Sequence, residues 1–478
     1  MGLKNVRFLV YMIIVLLSLS WEWDNLSCAN AGTHKSKKSA KNTPPPPNIN
    51  GGSGSSNSTT FSVLNYGAKG NGIADDTNAF AAAWTDACKV QGSVMLVPSG
   101  SVFFVKPISF SGPNCQSNIV FQLDGKIIAP TDPEPWGSGL LQWMQFTKLN
   151  KITIRGNGII DGQGSAWWNN KKSVSVFINK DIISWIGSFF LNFLFNVKFE
   201  MQNTGRMPST RPTALRFYGS RDVTVTGITI QNSQQTHLKF DSCIGVQVFG
   251  ISISSPGDSP NTDGIHLQNS QNVVVHTASL ACGDDCISIQ TGCSNVNIYD
   301  IDCGPGHGIS IGALGPDGTK ACVSDINVRD STMRNASTGL RIKTWQGGSG
   351  SVKGVKFTNV QVSGVGTPLM INQFYCNSKK CANKTSAVGI SDISYQSIKG
   401  TYTARPVYFA CSDSRPCVGV QLANVELTPF SRSTDPFCWE AYGNVQTATI
   451  PPINCLRSSS SSSSSSVVKV ANNTSASC

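Results

Sequence analysis

The chain is poor in charge. Only 14% of its 478 residues are Asp, Glu, Lys or Arg, against 45 glycines and 40% hydrophobic residues. That balance disfavours a charge-rich helical protein and favours a β-rich extracellular one. No CxxC pair and no His/Cys cluster has zinc-ligand spacing, so no metal or other cofactor is expected. No nucleic-acid-binding module is present, and the net charge of +11 is dispersed along the chain. Nucleic acid is therefore not the expected partner; an acidic polysaccharide, or no polyanion at all, remains open. The N-terminal apolar run, Phe8 to Leu19, has 12 residues, fewer than the ~20 that span a bilayer. Membrane attachment of the mature protein is not expected.

That short run follows Lys4 and Arg7 and precedes Ala29-Asn30-Ala31, so residues 1–31 read as a secretory signal peptide. Residues 32–60 hold lysines, four consecutive prolines (44–47) and a Gly/Ser run, a composition that cannot bury a core; they read as a disordered linker. The chain has 16 cysteines. In a secreted protein these imply several disulfides, with at least one thiol left free. Cys376 to Cys381 and Cys411 to Cys417 suit local loop staples. Glycosylation sequons begin at Asn57, Asn335, Asn383 and Asn473.

Between linker and tail the sequence repeats. Val223, Val246, Val273 and Val296 each open a Val-x-Val or Val-x-Ile run, at steps of 23, 27 and 23 residues. Short β-branched runs separated by Asn, Gly and Ser turns predict a parallel β-solenoid, one repeat per coil, with coils stacked about 4.8 Å apart. The fold expected is all-β: one solenoid domain over residues 61–456, acting as a monomer. A helical run, Ala79 to Trp84, is expected to cover its N-terminal end. Asp75 and Asp76 just before it read as helix caps. Trp167-Trp168 reads either as a sugar-stacking pair at the groove rim or as packing under a loop.

Residues 174–202 break the pattern. They are apolar, interrupted by Lys180 and Asp181, and lack turn chemistry and clean periodicity. They read as a membrane-dipping or groove-covering hairpin, or as a retained in-frame intron, because Val174-Ser175 and Met201-Gln202 permit splice-border codons. The tail, 457–478, contains an unbroken serine run from Ser458 to Ser466.

The chemistry gathers on successive coils: Asn261-Thr262-Asp263, Gly283-Asp284-Asp285, Gly306-His307-Gly308 and Arg341-Ile342-Lys343. Counted from the coil valines, Asp284 and His307 each lie 11 residues on (from Val273 and Val296), so they are expected to share a phase. Three carboxylates brought within a few ångströms cannot all ionise without cost, so at least one pKa should rise. Such a cluster supplies both an acid and a base. Arg341 and Lys343 alternate on a strand and would face one side, where two cations suit a carboxylated substrate. Calcium binding by the carboxylates is the competing reading.

These motifs resemble those of plant polygalacturonases, pectin-hydrolysing glycoside hydrolases. The likeness covers roughly residues 61–456 apart from the interruption and includes Cys282-Gly283-Asp284-Asp285-Cys286 and Gly304-Pro305-Gly306-His307-Gly308. The resemblance implies a right-handed parallel β-helix and inverting hydrolysis of α-1,4-galacturonan in the cell wall, without a cofactor. It makes Asp284 the general acid. Asp263 and Asp285 would activate water, and His307 would tune the Asp284 proton. Asn261, Arg341, Lys343 and Tyr375 would bind substrate, and Cys286 would pair with Cys303. Asn372, in the Tyr375 segment, stands where plant relatives commonly have Asp. Endo and exo attack both remain open. So do calcium-dependent elimination, as in the pectate lyases, and galacturonan binding without catalysis.

Overall fold

The computed structural model describes residues 58–168, 207–377, 381 and 383–458. The expected signal peptide, most of the linker, the stretch 174–202 and nearly all of the serine-rich tail lie outside these residues.

Among the described residues, strands form two parallel sheets, one of nineteen strands and one of eleven. Each coil crosses the larger sheet, turns, and crosses the smaller. Thus Ile244–Phe249 and Ser252–Ser254 lie in the larger sheet, and Ile265–Gln268 follows in the smaller. This is the expected parallel β-helix, and its coils run to Ala441–Val445.

The valine repeat is the core. Val223 pairs with Val246, which pairs with Val273, which pairs with Val296. The ladder continues through Ile326 and Val355, and all six are at most 1% exposed. Turn chemistry explains why it holds register. The residue before each ladder position has a positive φ: Asp222 52°, Gly245 73°, Asn272 56°, Asn295 51°, Asp325 58° and Gly354 66°. Asp, Asn and Gly are the residues that enter this left-handed region at low cost. The sequence thus places one such residue at the same corner of every coil.

The smaller sheet has an inner row and an outer row because side chains alternate faces. Phe110, Phe146, Phe217 and Phe240 lie on the inner row, with successive ring centroids 4.7, 5.3 and 5.2 Å apart. One residue earlier on successive strands is the outer row: Gln145, Arg216, Lys239, His266. It continues through Ser288, Ser310 and Arg341.

The expected helix spans Thr77–Ala87. It buries Phe80, Ala83 and Trp84, and the Trp84 ring lies 5.3 Å from Phe110 and 5.6 Å from Phe146. The capping expectation holds for only one of the two acids. Asp75 Oδ1 accepts from the Thr77 amide at 3.0 Å. Asp76 instead turns back to the preceding loop, where its carboxylate accepts from the amides of Lys69 (2.6 Å) and Gly70 (3.3 Å). Trp167 is buried edge-on against Trp136, with centroids 5.2 Å apart; it packs under a loop.

Candidate active site

The outer row passes beneath the ends of the turns that enter the smaller sheet, and there the predicted residues meet. Asp263, Asp285 and His307 each stand two residues before paired strand positions, Ile265, Ile287 and Ile309. The strand register therefore aligns His307 with Asp285. The phase counted from the valines is off by one here, because this coil carries one more residue between Val273 and Ile287 than the next carries between Val296 and Ile309. Asp284 stands in the turn. Gly283 before it is required by crowding: a Cβ there would sit 1.9 Å from the Ser259 carbonyl oxygen.

Asp285 is the most enclosed of the three acids, with 3% of its side chain exposed. Its Oδ1 accepts from Ser310 Oγ at 2.8 Å and from the Arg341 guanidinium. Its Oδ2 accepts from Lys343 Nζ at 2.9 Å. Asp284 Oδ1 lies 2.9 Å from His307 Nδ1, and its Oδ2 accepts from Asn261 Nδ2 at 3.2 Å. Asp263 Oδ2 lies 3.1 Å from His266 Nδ1. Its Oδ1 has no hydrogen-bond partner among the described residues. Tyr375 joins through Lys343, whose ammonium lies 5.3 Å from the ring centroid. Trp345 braces that ring edge-on at 5.1 Å. With the Asp285 amide donating to Asp284 Oδ1 at 2.9 Å, seven of the eight predicted site residues are joined by contacts, and Asp263 is coupled to Asp285 and Asp284 by charge.

The carboxylates divide electrostatically. Burial pushes the Asp263 carboxyl above its usual 3.8, the charges of Asp285 and Asp284 add to this, and the hydrogen bond from His266 opposes it. Burial also works to raise Asp284. There, however, the His307 hydrogen bond and charge, with Lys343 and Arg341, outweigh it and hold the carboxyl below the usual value. Oxygens of Asp284 and Asp285 and a ring nitrogen of His307 lie within 4.8 Å of one another. That spacing suits a cation, but Asp285 is already ion-paired to Arg341 and Lys343, whose charges oppose a divalent ion.

Sequence reasoning missed His266, which supports Asp263 from the same coil, and Ser310 and His237, which support the acids from neighbouring coils. The signal for the first two was strand alternation: each is a polar residue between two buried ones, in Ile265-His266-Leu267 and Ile309-Ser310-Ile311. His237 gives no such signal.

Five disulfides join pairs of described residues: Cys88–Cys115, Cys286–Cys303, Cys376–Cys381, Cys411–Cys417 and Cys438–Cys455; Cys322 is disulfide-bonded as well. The pairing implied for Cys286 and both local staples are present. Cys243, Cys282 and Cys293 are free and buried. Beside His307 runs a groove of about 390 Å³, lined by Pro305, Gly306, Asn335, Ser337 and Thr403 among others.

A parallel β-helix that gathers carboxylates, an imidazole and cations from successive coils belongs among the carbohydrate-cleaving solenoids. Comparison with known proteins makes this specific: residues 88–182 and 198–442 match the glycosyl hydrolases family 28, and the chain belongs to that family. It is a glycoside hydrolase with a right-handed parallel β-helix. The break in the match falls inside the irregular stretch 174–202. The chain is 39% identical over 397 residues to a probable polygalacturonase of Arabidopsis thaliana, covering 82% of this chain and 83% of the relative. It is 42% identical over 372 residues to a polygalacturonase of Chamaecyparis obtusa, covering 77% and 67%. Among solved structures, an exopolygalacturonase of Thermotoga maritima superposes with a TM-score of 0.61 at 21% identity, covering 77% of this chain and 86% of the other. An endo-xylogalacturonan hydrolase of Aspergillus tubingensis gives 0.63 at 19%, covering 80% and 96%.

Proposed function

We propose that this chain is a secreted polygalacturonase that hydrolyses α-1,4 bonds of de-esterified pectin in the cell wall with inversion at the anomeric carbon. The observation that carries this reading is three carboxylates from two adjacent coils, with Arg341 and Lys343 reaching Asp285 from a single strand two positions further along the smaller sheet. A carboxylate-rich site that also displays cations suits an acidic glycan.

Asp284 is the general acid. It is the acid paired with His307 at 2.9 Å, and the proton held between Oδ1 and Nδ1 is the one delivered to the departing glycosidic oxygen. Asp263 takes the proton of the attacking water: its Oδ1 is unoccupied by other donors, and its raised pKa makes it the stronger base of the cluster. Asp285 orients that water and, as an anion held in place, stabilises positive charge developing at the anomeric carbon. Asn261, Arg341, Lys343 and Tyr375 hold the sugars.

The separation of the acids bears on stereochemistry. Oxygens of Asp284 and Asp285 approach within 4.8 Å, closer than the ~6.5–9.5 Å common between the paired acids of inverting enzymes. A retaining mechanism would need Asp285 as nucleophile, yet its ion pairs with Arg341 and Lys343 draw off the negative charge that attack requires, while Oδ2 can still accept from a water. Water activated by Asp263 therefore remains the attacking group.

Time-resolved proton NMR of de-esterified polygalacturonate with the secreted protein, calcium chelated, tests the reading. New reducing ends appearing first as the β-anomer are expected. A 4,5-unsaturated uronate signal would instead assign an elimination, and retention on pectin without new ends would assign a binding protein.

A further inference from the structure

The groove beside His307 is not explained by the proposed chemistry. Apart from His307 its described lining carries no ionisable side chain: no Asp, Glu, Lys or Arg borders it. Arg341 and Lys343, the cations that suit an acidic glycan, are ion-paired to Asp285 instead. The other polar side chains of the groove are those of Asn335, Ser337 and Thr403, set around Pro305 and glycine backbone. A polyanion gains little from such a surface. A neutral sugar, with hydroxyls to bond and C–H faces to pack, suits it.

One wall of the groove is Asn335-Ala336-Ser337, a sequon for N-glycosylation. Asn335 and Ser337 are exposed, and Ala336 between them is buried. The Asn335 main-chain amide donates to the Ser363 carbonyl at 2.9 Å, in a turn where Asn335 has a φ of 51°. Its side-chain amide makes no hydrogen bond with any described residue, so Nδ2 is free to carry a sugar. The amide leans across Gly364 on the next coil, where a Cβ would come within 3.0 Å of Asn335 Oδ1. Gly364 itself lines the groove, so a sugar on Nδ2 begins at the groove.

The structure singles out this sequon. Those at Asn57 and Asn473 begin outside the described residues. Asn383 is exposed, but it does not line this groove.

We infer that Asn335 carries an N-linked glycan whose first sugars lie in the groove beside His307, a neutral wall next to the acid cluster. This rests on the secretory route in the proposed function. There Nδ2 bonds to the anomeric carbon of an N-acetylglucosamine and gives up a proton, and the lipid pyrophosphate that carried the oligosaccharide leaves with the bonding electron pair. Attachment at the edge of the groove holds the sugar at an effective concentration in the millimolar range, so weak hydrogen bonds suffice to seat it.

The test uses the full-length protein secreted by cultured plant cells with glycan trimming blocked, and its Ser337→Ala and Ser337→Thr variants. Glycopeptide mass spectrometry reads the occupancy of Asn335. An endoglycosidase that cuts within the glycan core then reads its accessibility in native and in denatured protein. Asn335 is expected to be occupied in wild type and in Ser337→Thr, which keeps the sequon, and bare in Ser337→Ala. Release at Asn335 is expected to be about tenfold slower from native than from denatured protein, the factor that one net hydrogen bond supplies. A bare Asn335 in wild-type protein recovered from the medium would overturn the inference and leave the secretory reading standing. An occupied Asn335 released equally fast in both states would overturn the seating in the groove. Wild-type protein that never enters the secretory route would remove that reading, and the inference with it.

Discussion

The carbonyl oxygen of Asp263 accepts two hydrogen bonds from one residue: the His237 amide at 2.9 Å and the His237 Nδ1–H at 2.8 Å. A carbonyl can only accept, so the proton sits on Nδ1. Nε2, 2.7 Å from Ser255 Oγ, must then accept from that hydroxyl. The neutral ring ties together both ends of the loop from Ser255 to Asp263. That loop carries Asn261 and delivers Asp263 to the site.

This clamp predicts a pH-dependent stability. Burial lowers the His237 pKa from 6.5 to about 4. Between those values the unfolded chain binds a proton that the folded chain does not. The contribution is therefore complete above 6.5 and is lost as pH falls toward 4, by about 3 kcal/mol. In urea titrations, the stability of wild type relative to His237→Gln should decline by that amount between pH 7 and pH 4. A constant difference would mean that the ring is not held neutral.

The acid limb of activity should follow Asp263. A base must be ionised, and burial raises the Asp263 pKa above 3.8, so kcat/KM should begin to fall at a pH above that value. The His266 hydrogen bond opposes the rise. His266→Leu should therefore move the limb to still higher pH. A limb that stays in place or moves down in this variant would take the base role from Asp263.

Asp284→Asn should lower kcat by ~10²–10⁴-fold, the usual worth of a positioned general acid. The circular dichroism spectrum should not change, because Asn retains the side-chain shape. Residual kcat above a tenth of wild type would remove Asp284 from that role.

Lys343→Met leaves the buried Asp285 with one cation fewer. Breaking one side of a buried pair costs about 3–5 kcal/mol, so urea unfolding should show a loss on that scale together with reduced turnover. A Lys343→Met/Asp285→Asn double variant should lose less stability than the sum of its singles.

Phe217→Ala removes one ring from the inner stack between Phe146 and Phe240 and should cost about 3–5 kcal/mol. Activity per folded molecule should change little, since Phe217 faces the interior. The readouts are the urea midpoint and the specific activity of the folded fraction.

The sequence by itself determined the coil and the inventory of the site. A valine at steps of 23 to 27 residues, with Asp, Asn or Gly before it to take a positive φ, fixes the corner of each turn, because these preferences act between neighbours in the chain. Strand alternation then separates an inner row from an outer row, and four short motifs supply the acids, the imidazole and the cations. Tertiary structure decided what each group is free to do. Asp285 meets Arg341 and Lys343 across 56 and 58 residues, and His237 meets Asp263 across 26. Adjacent in sequence, Asp284 and Asp285 part company because one stands in a turn beside an imidazole and the other is enclosed beneath two cations. Burial and charge at a carboxylate are sums over neighbours in space, and stacked coils draw those neighbours from distant parts of the chain.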